Sequence, residues 1–375
     1  MISMTKVAGV IALGAALIGQ AHADDTVKIG VAGPLTGPLA SQGKDVENGA
    51  RLAVDQINAA GIKIKGVPLH LSIDSEDDMA DPKTAVTIAQ KLVDAGVVGV
   101  IGHLTSGTSV PASKIYSDAG IPEISPSATN PVLTRQGFAT AFRVIGDDAY
   151  VGRVVAQYLT KTAGYKRIAI IDDRSAYGQG LADIVAEELK KDGATVVDRE
   201  YVTPNTVDFR GVLTSVKSSQ PQAIFYGGVD AQAGPMRKQM AGLSMKVALY
   251  GSSIETDNFI KLAGASSEGT ISAQAGQPLE SMPGGKKFID QFKKYGPVIL
   301  YAPYAYDAVW AFVHAMEIAN STNSKDFLPA MKKVNFQGVT GTIAFDDKGD
   351  LRSSSVTLYQ VKSGHYQPIQ TVHLK

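Results

Sequence analysis

Val97-Val98-Gly99-Val100-Ile101-Gly102 is an apolar run with no polar position to turn toward water. A strand of this kind is buried on both faces, as in a parallel sheet covered by helices. Upstream, Asp81-Pro82 supplies a cap and a proline at the first helical position. Ala85, Ile88, Ala89 and Leu92 then form an apolar stripe, and Gly96 ends the helix. The same unit recurs outward from this point. Val27–Ala32 is expected as a strand, followed by a loop at Gly33–Pro38 and a helix over 46–59. Ile115-Tyr116 lie on a short helix before a strand at Pro122–Ser125. A helix over 148–162 precedes the strand Arg167–Asp172, and a helix over 180–191 precedes Thr195–Val197. Ala223–Tyr226 and Val247–Tyr250 are strands flanking a helix over 234–241, and a late helix spans 302–320. Gly341–Phe345, a turn at Asp346–Gly349 and Ser355–Val361 are expected to close the chain as a hairpin. Alternating strands and helices mean an α/β protein, and more than eight strands call for two doubly wound, Rossmann-like sheets.

The first residues carry one cation, Lys6, before an uncharged apolar run from Val7 to Ile18. That run is shorter than the roughly 20 residues a membrane span requires. Ala21-His22-Ala23 follows, and then Asp24 and Asp25, which is the layout of a secretory signal cleaved after Ala23. With no cysteine, neither a disulfide nor a lipid-modified N-terminal Cys is available. The expectation is a soluble protein free in a Gram-negative periplasm. Removal of residues 1–23 leaves about 350 residues, enough for two domains. The 36 Lys and Arg balance the 36 Asp and Glu without a basic run, so the electrostatic footprint of a nucleic-acid binder is missing.

In doubly wound sheets ligands sit beyond the carboxyl ends of strands, where loops enter helix N-termini. Two such loops stand out: Leu104-Thr105-Ser106-Gly107-Thr108-Ser109, entering a helix near Pro111, and Ser125-Pro126-Ser127-Ala128-Thr129-Asn130-Pro131. Their hydroxyls and free N–H groups suit a carboxylate, and they suit helix capping equally. Catalytic constellations are scarce. No Gly-x-Ser-x-Gly, His-Glu-x-x-His or Cys nucleophile is present, and the six histidines are scattered. His103 reads as a hydrogen-bonded structural residue. Tyr177-Gly178-Gln179-Gly180 lacks the third glycine of a dinucleotide fingerprint. Asp74, Glu76, Asp77, Asp78 and Asp81 read as a solvated loop rather than a metal site, and Asp346–Asp350 has no closing Glu for a calcium loop. No enzyme, metal or cofactor is expected.

The loop sequences Ile101–Ser113 and Ile124–Pro131, with Asp173–Gly180, Tyr226–Asp230 and Phe345–Leu351, resemble the periplasmic leucine/isoleucine/valine-binding protein family, and the resemblance runs through the whole chain after the signal. It implies a type I periplasmic binding protein fold: two lobes joined by three hinge crossings near 144–146, 273–275 and 352–355, closing on a ligand. The implied lobes are 24–144 with 275–352, and 145–274 with 353–375. It also implies capture of a branched-chain or other aliphatic amino acid by a monomer that serves an inner-membrane ABC permease. Matched residue by residue, Ser106 gives hydroxyl and N–H to the carboxylate. Ser127 lies where backbone meets the amino group, with Ala128 beside it among the ligand-binding residues; Thr129 meets both groups, and Tyr177 closes from the second lobe. The family's acidic partner for the ammonium falls on Ser253, which leaves Asp230 or Glu255 to supply the charge. Its ligand-contacting aromatics fall on Gln42 and Val229. Tyr301 and Tyr304 serve either as pocket aromatics or as core. The missing acid leaves a second reading open, the same fold binding an aromatic or keto acid or a small amide, and a third, a ligand-sensing module.

Overall fold

The computed structural model describes residues 26–374, so the signal segment lies outside the described residues. Two sheets organise the chain. The first runs, in spatial order, Leu71–Asp77, Val27–Gly33, Gly99–Ile101, Glu123–Ser125 and Ala141–Arg143, all parallel. The second orders His365–Leu374, Ser354–Lys362, Ile271–Ala275, Ala248–Ser252, Ala223–Gly227, Arg167–Asp172 and Thr195–Tyr201, with only the first two strands antiparallel to their neighbours. Gly99, Val100 and Ile101 are fully buried in the middle of the first sheet, the environment that their unbroken apolar run requires. The chain leaves the first sheet after Arg143, leaves the second after Ala275 and re-enters the second at Ser354.

Several elements differ from the sequence reading, each for a local reason. The C-terminal hairpin joins Ser354–Lys362 to His365–Leu374. Thr342–Ala344 pairs instead with Asn335–Gln337, and only the bridge Phe345–Leu351 spans the expected turn. The strand 354–362 is thereby paired on both sides inside the second sheet. The first ligand loop is mostly helix: Ser106–Ala119 begins ahead of Pro111, because the Thr105 side chain accepts from the Thr108 N–H and caps it there. Likewise Ser175 caps a helix that begins at Ala176. The helix from Asp148 is regular only to Gln157 and then widens into a π turn at Tyr158–Thr162. There the Thr160 hydroxyl donates to the Ala156 carbonyl at 2.8 Å, a side-chain bond that competes with the backbone ladder.

Helix Ala40–Ala60 packs against helix Ala302–Ala319 beside the first sheet. Gly49 permits the approach, since a Cβ there would stand 2.2 Å from the Ala302 carbonyl oxygen. Asp45 fixes the start of the later helix. It is buried, and its two oxygens accept the backbone N–H groups of Ile299, Leu300, Tyr301 and Ala302 at 2.7–3.0 Å. Burial raises its pKa and the four N–H bonds act against that. Asp45→Ala strips four donors of their acceptor at once. It is expected to cost about 3 kcal/mol of stability, measured by urea unfolding at neutral pH.

Candidate functional site

Between the two sheets lies a cavity of about 390 Å³, walled by loops at the carboxyl ends of strands from both. Ser106, Ser127, Thr129, Gln42 and Tyr301 line it from the side of the first sheet; Tyr177, Ser253 and Val229 line it from the second. Ser106 is the first residue of its helix, where backbone N–H groups have no intrahelical acceptor. Its hydroxyl also accepts the Asn130 N–H at 3.2 Å, which ties the two ligand loops together. Ser127 donates its hydroxyl to the Leu104 carbonyl at 2.7 Å, so its side chain braces the site. The Thr129 carbonyl accepts the Asp148 N–H at 2.9 Å. From the second lobe, the Tyr177 hydroxyl donates to the Ser252 carbonyl at 3.0 Å, and burial pushes its pKa well above the usual tyrosine range. Ser253 holds a left-handed backbone, φ 57°, and its hydroxyl donates to Gln274 at 3.2 Å. Asn130 bridges the cleft, its side-chain amide donating to the Ala176 carbonyl at 2.6 Å.

The loop that carries Ser127–Asn130 is held by Arg143. This guanidinium is fully buried and donates to the carbonyls of Ala128 at 2.7 Å and Asn130 at 3.0 Å, to the Thr134 hydroxyl at 3.0 Å and to the Asp350 carboxylate at 2.6 Å. Nothing in the sequence reading singled out Arg143, because a charge at the end of an apolar strand looks like a surface residue until its partners are known.

Three of the residues expected at the ligand, Asp230, Ala128 and Glu255, do not line the cavity. The Asp230 carboxylate is buried and turned toward the next helix, where Thr256 donates at 2.6 Å and Asn258 at 3.1 Å. These two nearby donors satisfy it, so it ties helix Asp230–Gly242 to helix Asp257–Ala263. The Ala128 methyl packs with Leu133 and Ala141, and its carbonyl is taken by Arg143. Glu255 accepts from Ser272 and faces a separate cavity, with its pKa pushed up to about 7 by burial. Of the two candidate tyrosines, Tyr301 lines the cleft, while Tyr304 donates to the Ala275 carbonyl at 3.2 Å.

Sequence reasoning missed Asp173, Arg174 and Ser175, which also line the cavity. Asp173 is buried, and one of its oxygens accepts the Ser175 N–H at 2.9 Å and hydroxyl at 2.5 Å. Arg174 lies over the Tyr201 ring with its guanidinium carbon 4.2 Å from the centroid. Gly178 is required here, because a Cβ would stand 2.2 Å from Asp173 and 2.4 Å from the Gly227 carbonyl. The signal for this segment was its position after a buried strand. His103 is fully buried between Asp78, 2.7 Å from Nδ1, and the Tyr116 hydroxyl, 3.0 Å from Nε2, as a structural histidine would be. Among the described residues no His, Asp or Glu side chains converge as metal ligands. No helix among them is long and apolar enough to cross a membrane.

Two doubly wound lobes around a cleft of hydroxyls and free helix N–H groups define a binding protein. Residues 26–365 match the periplasmic binding protein family, and the chain belongs to that family. It is 34% identical to the Leu/Ile/Val-binding protein homolog 1 of Brucella suis over 97% of this chain and 96% of the relative. It is 33% identical to the leucine-, isoleucine-, valine-, threonine- and alanine-binding protein of Pseudomonas aeruginosa, over 90% of both chains. Among solved structures, the branched-chain amino acid transporter substrate-binding protein LivJ of Streptococcus pneumoniae, in complex with isoleucine, superposes with a TM-score of 0.83. It is 27% identical, and the match covers 93% of this chain and all of that one.

Removing Arg143 leaves the carbonyls of Ala128 and Asn130 without that donor and takes from Asp350 its buried ion-pair partner. Arg143→Met is expected to destabilise the protein by about 3 kcal/mol or more, as breaking one side of a buried ion pair does. Denaturant titration reads that loss, and a midpoint unchanged from the unaltered protein would mean that the loop is held by other contacts.

Proposed function

We propose that this protein is a periplasmic receptor that captures a branched-chain or other aliphatic amino acid and delivers it to an ABC permease in the inner membrane. The observation that carries this reading is the meeting of Ser106 and Thr129 at one cavity with Tyr177 of the other lobe. The unpaired N–H groups at the start of helix Ser106–Ala119, with the Ser106 hydroxyl, are donors for an α-carboxylate. The Thr129 hydroxyl serves either end of a zwitterion. Leu39, Leu104, Val229 and Tyr301 offer apolar surface to an aliphatic side chain. Relatives that share most of this chain carry names for binding leucine, isoleucine and valine, which supports the same ligand class.

In this reading the chain is exported with a signal cleaved after Ala23. It acts as a monomer and binds without catalysing a reaction. Its lobes, 24–144 with 275–352 and 145–274 with 353–375, close on the ligand by bending at the three crossings. Gln42 and Ser253 face the ligand beside Ser106, Ser127, Thr129 and Tyr177.

The test is titration calorimetry on protein unfolded and refolded to remove carried-over ligand. Leucine, isoleucine and valine are expected to bind, and at 100 times the dissociation constant each adds about 2.7 kcal/mol of stability. The double variant Ser106→Ala, Thr129→Ala is expected to lose binding while keeping its circular dichroism spectrum. Binding confined to acids without an amino group would overturn the amino-acid reading, and full affinity in the double variant would overturn the site.

A further inference from the structure

Four carboxylates stand close to the cleft, and three of them accept a hydrogen bond, Glu255 through one oxygen only. Asp173 is engaged by Ser175, Asp230 by Thr256 and Asn258, and Glu255 by Ser272. The fourth, Asp148, is 1% exposed, and its oxygens make no full hydrogen bond, although the Thr129 hydroxyl is near enough to favour the carboxylate. A buried carboxylate without donors costs the fold free energy, and such groups mark places where something else completes the pairing.

We propose that Asp148 supplies the negative charge for the ligand's ammonium group, acting through the Thr129 hydroxyl as a positioning residue behind the cavity wall. The inference rests on the amino-acid reading of the ligand. Its geometry is local. The Asp148 N–H donates to the Thr129 carbonyl at 2.9 Å, so the backbone pins one residue behind the other. Thr129 lines the cavity and Asp148 does not. A hydroxyl between a carboxylate and an ammonium donates to the first and accepts from the second, and each bond strengthens the other. This arrangement explains how a cleft with Ser253 in the family's acidic position still balances a cation.

The charged and titratable neighbours of Asp148 are few. Arg143 favours its carboxylate, but that guanidinium is already committed to Ala128, Asn130, Thr134 and Asp350. Asp147 disfavours it and is itself engaged by Arg135 at 2.6 Å. Tyr177 faces it from the second lobe. Burial is the largest influence and pushes its pKa up to about 7, against the pull of Thr129 and Arg143. Two consequences have definite signs. An ammonium favours the carboxylate, so binding below about pH 7 releases a proton, and affinity climbs with pH before levelling off. In the empty protein the folded-state pKa lies above the unfolded value, so the ionised group opposes folding at pH values above both. An amide at this position removes that opposition.

The experiment compares unaltered protein with Asp148→Asn by calorimetry. The probes are whichever of leucine, isoleucine and valine binds most tightly and its α-keto acid. Asp148→Asn is expected to weaken the amino acid about thirtyfold and the keto acid less than about threefold. Between about pH 5.5 and 7.5 the unaltered protein should gain about tenfold in affinity for the amino acid, a gain absent from the variant. The melting temperature of the empty variant at about pH 8 should equal or exceed that of the unaltered protein, which a merely structural aspartate would not permit. If the keto acid does not bind measurably, the pH profile and the melting temperature decide. Amino-acid binding that survives in Asp148→Asn, retains its pH slope, or is lost together with thermal stability overturns the role of Asp148 alone. Failure of all three amino acids to bind the unaltered protein overturns the amino-acid reading and this inference with it.

Discussion

The loop that carries Ser127–Asn130 depends on the burial of one cation. Arg143 ends the last strand of the first sheet and sits with no exposed surface, its donors spent on two backbone carbonyls, a hydroxyl and a carboxylate. A guanidinium buried in this way is stable only if its fork is filled, so the loop carbonyls of Ala128 and Asn130 must come to it. The consequence travels along the chain. With Asn130 fixed, its N–H meets Ser106 and its side chain reaches Ala176 across the cleft. Thr129 is held between them at the cavity wall, and its carbonyl takes the Asp148 N–H. Asp350, the acid in this clamp, lies four residues before the strand that re-enters the second sheet, so the loop, the first crossing and the last crossing share one electrostatic anchor.

A second device organises another part of the same wall. Asp45 gathers four N–H groups ahead of helix Ala302–Ala319, which sets Tyr301 at the cleft. Both devices do the same physical work: a buried charge is compensated by backbone groups that helix starts and loops would otherwise leave unpaired. The ligand site is thus built from loops, yet each loop is pinned by a side chain of a neighbouring strand or helix.

The fold was legible in the sequence wherever periodicity carried the information. The run at 97–102 and the capped helix before it correspond to a buried parallel strand and to helix Pro82–Asp94. Reading failed where long-range pairing decided the outcome. Gly341–Phe345 looked like the partner of Ser355–Val361, but the choice among antiparallel partners depends on which edge the second sheet leaves open, and that is not a local property. In the site, Ser106, Ser127, Thr129, Tyr177, Gln42 and Ser253 stand at the cavity because each sits in a loop at the carboxyl end of a strand or on the helix after it, a placement that follows from topology. Asp230 met that criterion too and still turned away, since Thr256 and Asn258, far along the chain, offered it donors. Arg143 and Asp148 were invisible for the same reason: burial of a charge is decided by partners more than ten residues away or by the packing of two lobes.

The clamp also separates what can change in this cleft from what cannot. The backbone carbonyls of Ala128 and Asn130 are held by Arg143, and the Asn130 N–H is held by Ser106. Gln42 and Val229 line the same cavity from a helix face and a strand end outside that network. Replacing them alters the shape and polarity of the cavity while the clamp around Arg143 stays as it is. The lining of the cavity at these two positions is thus mechanically uncoupled from the scaffold that shapes the rest of it.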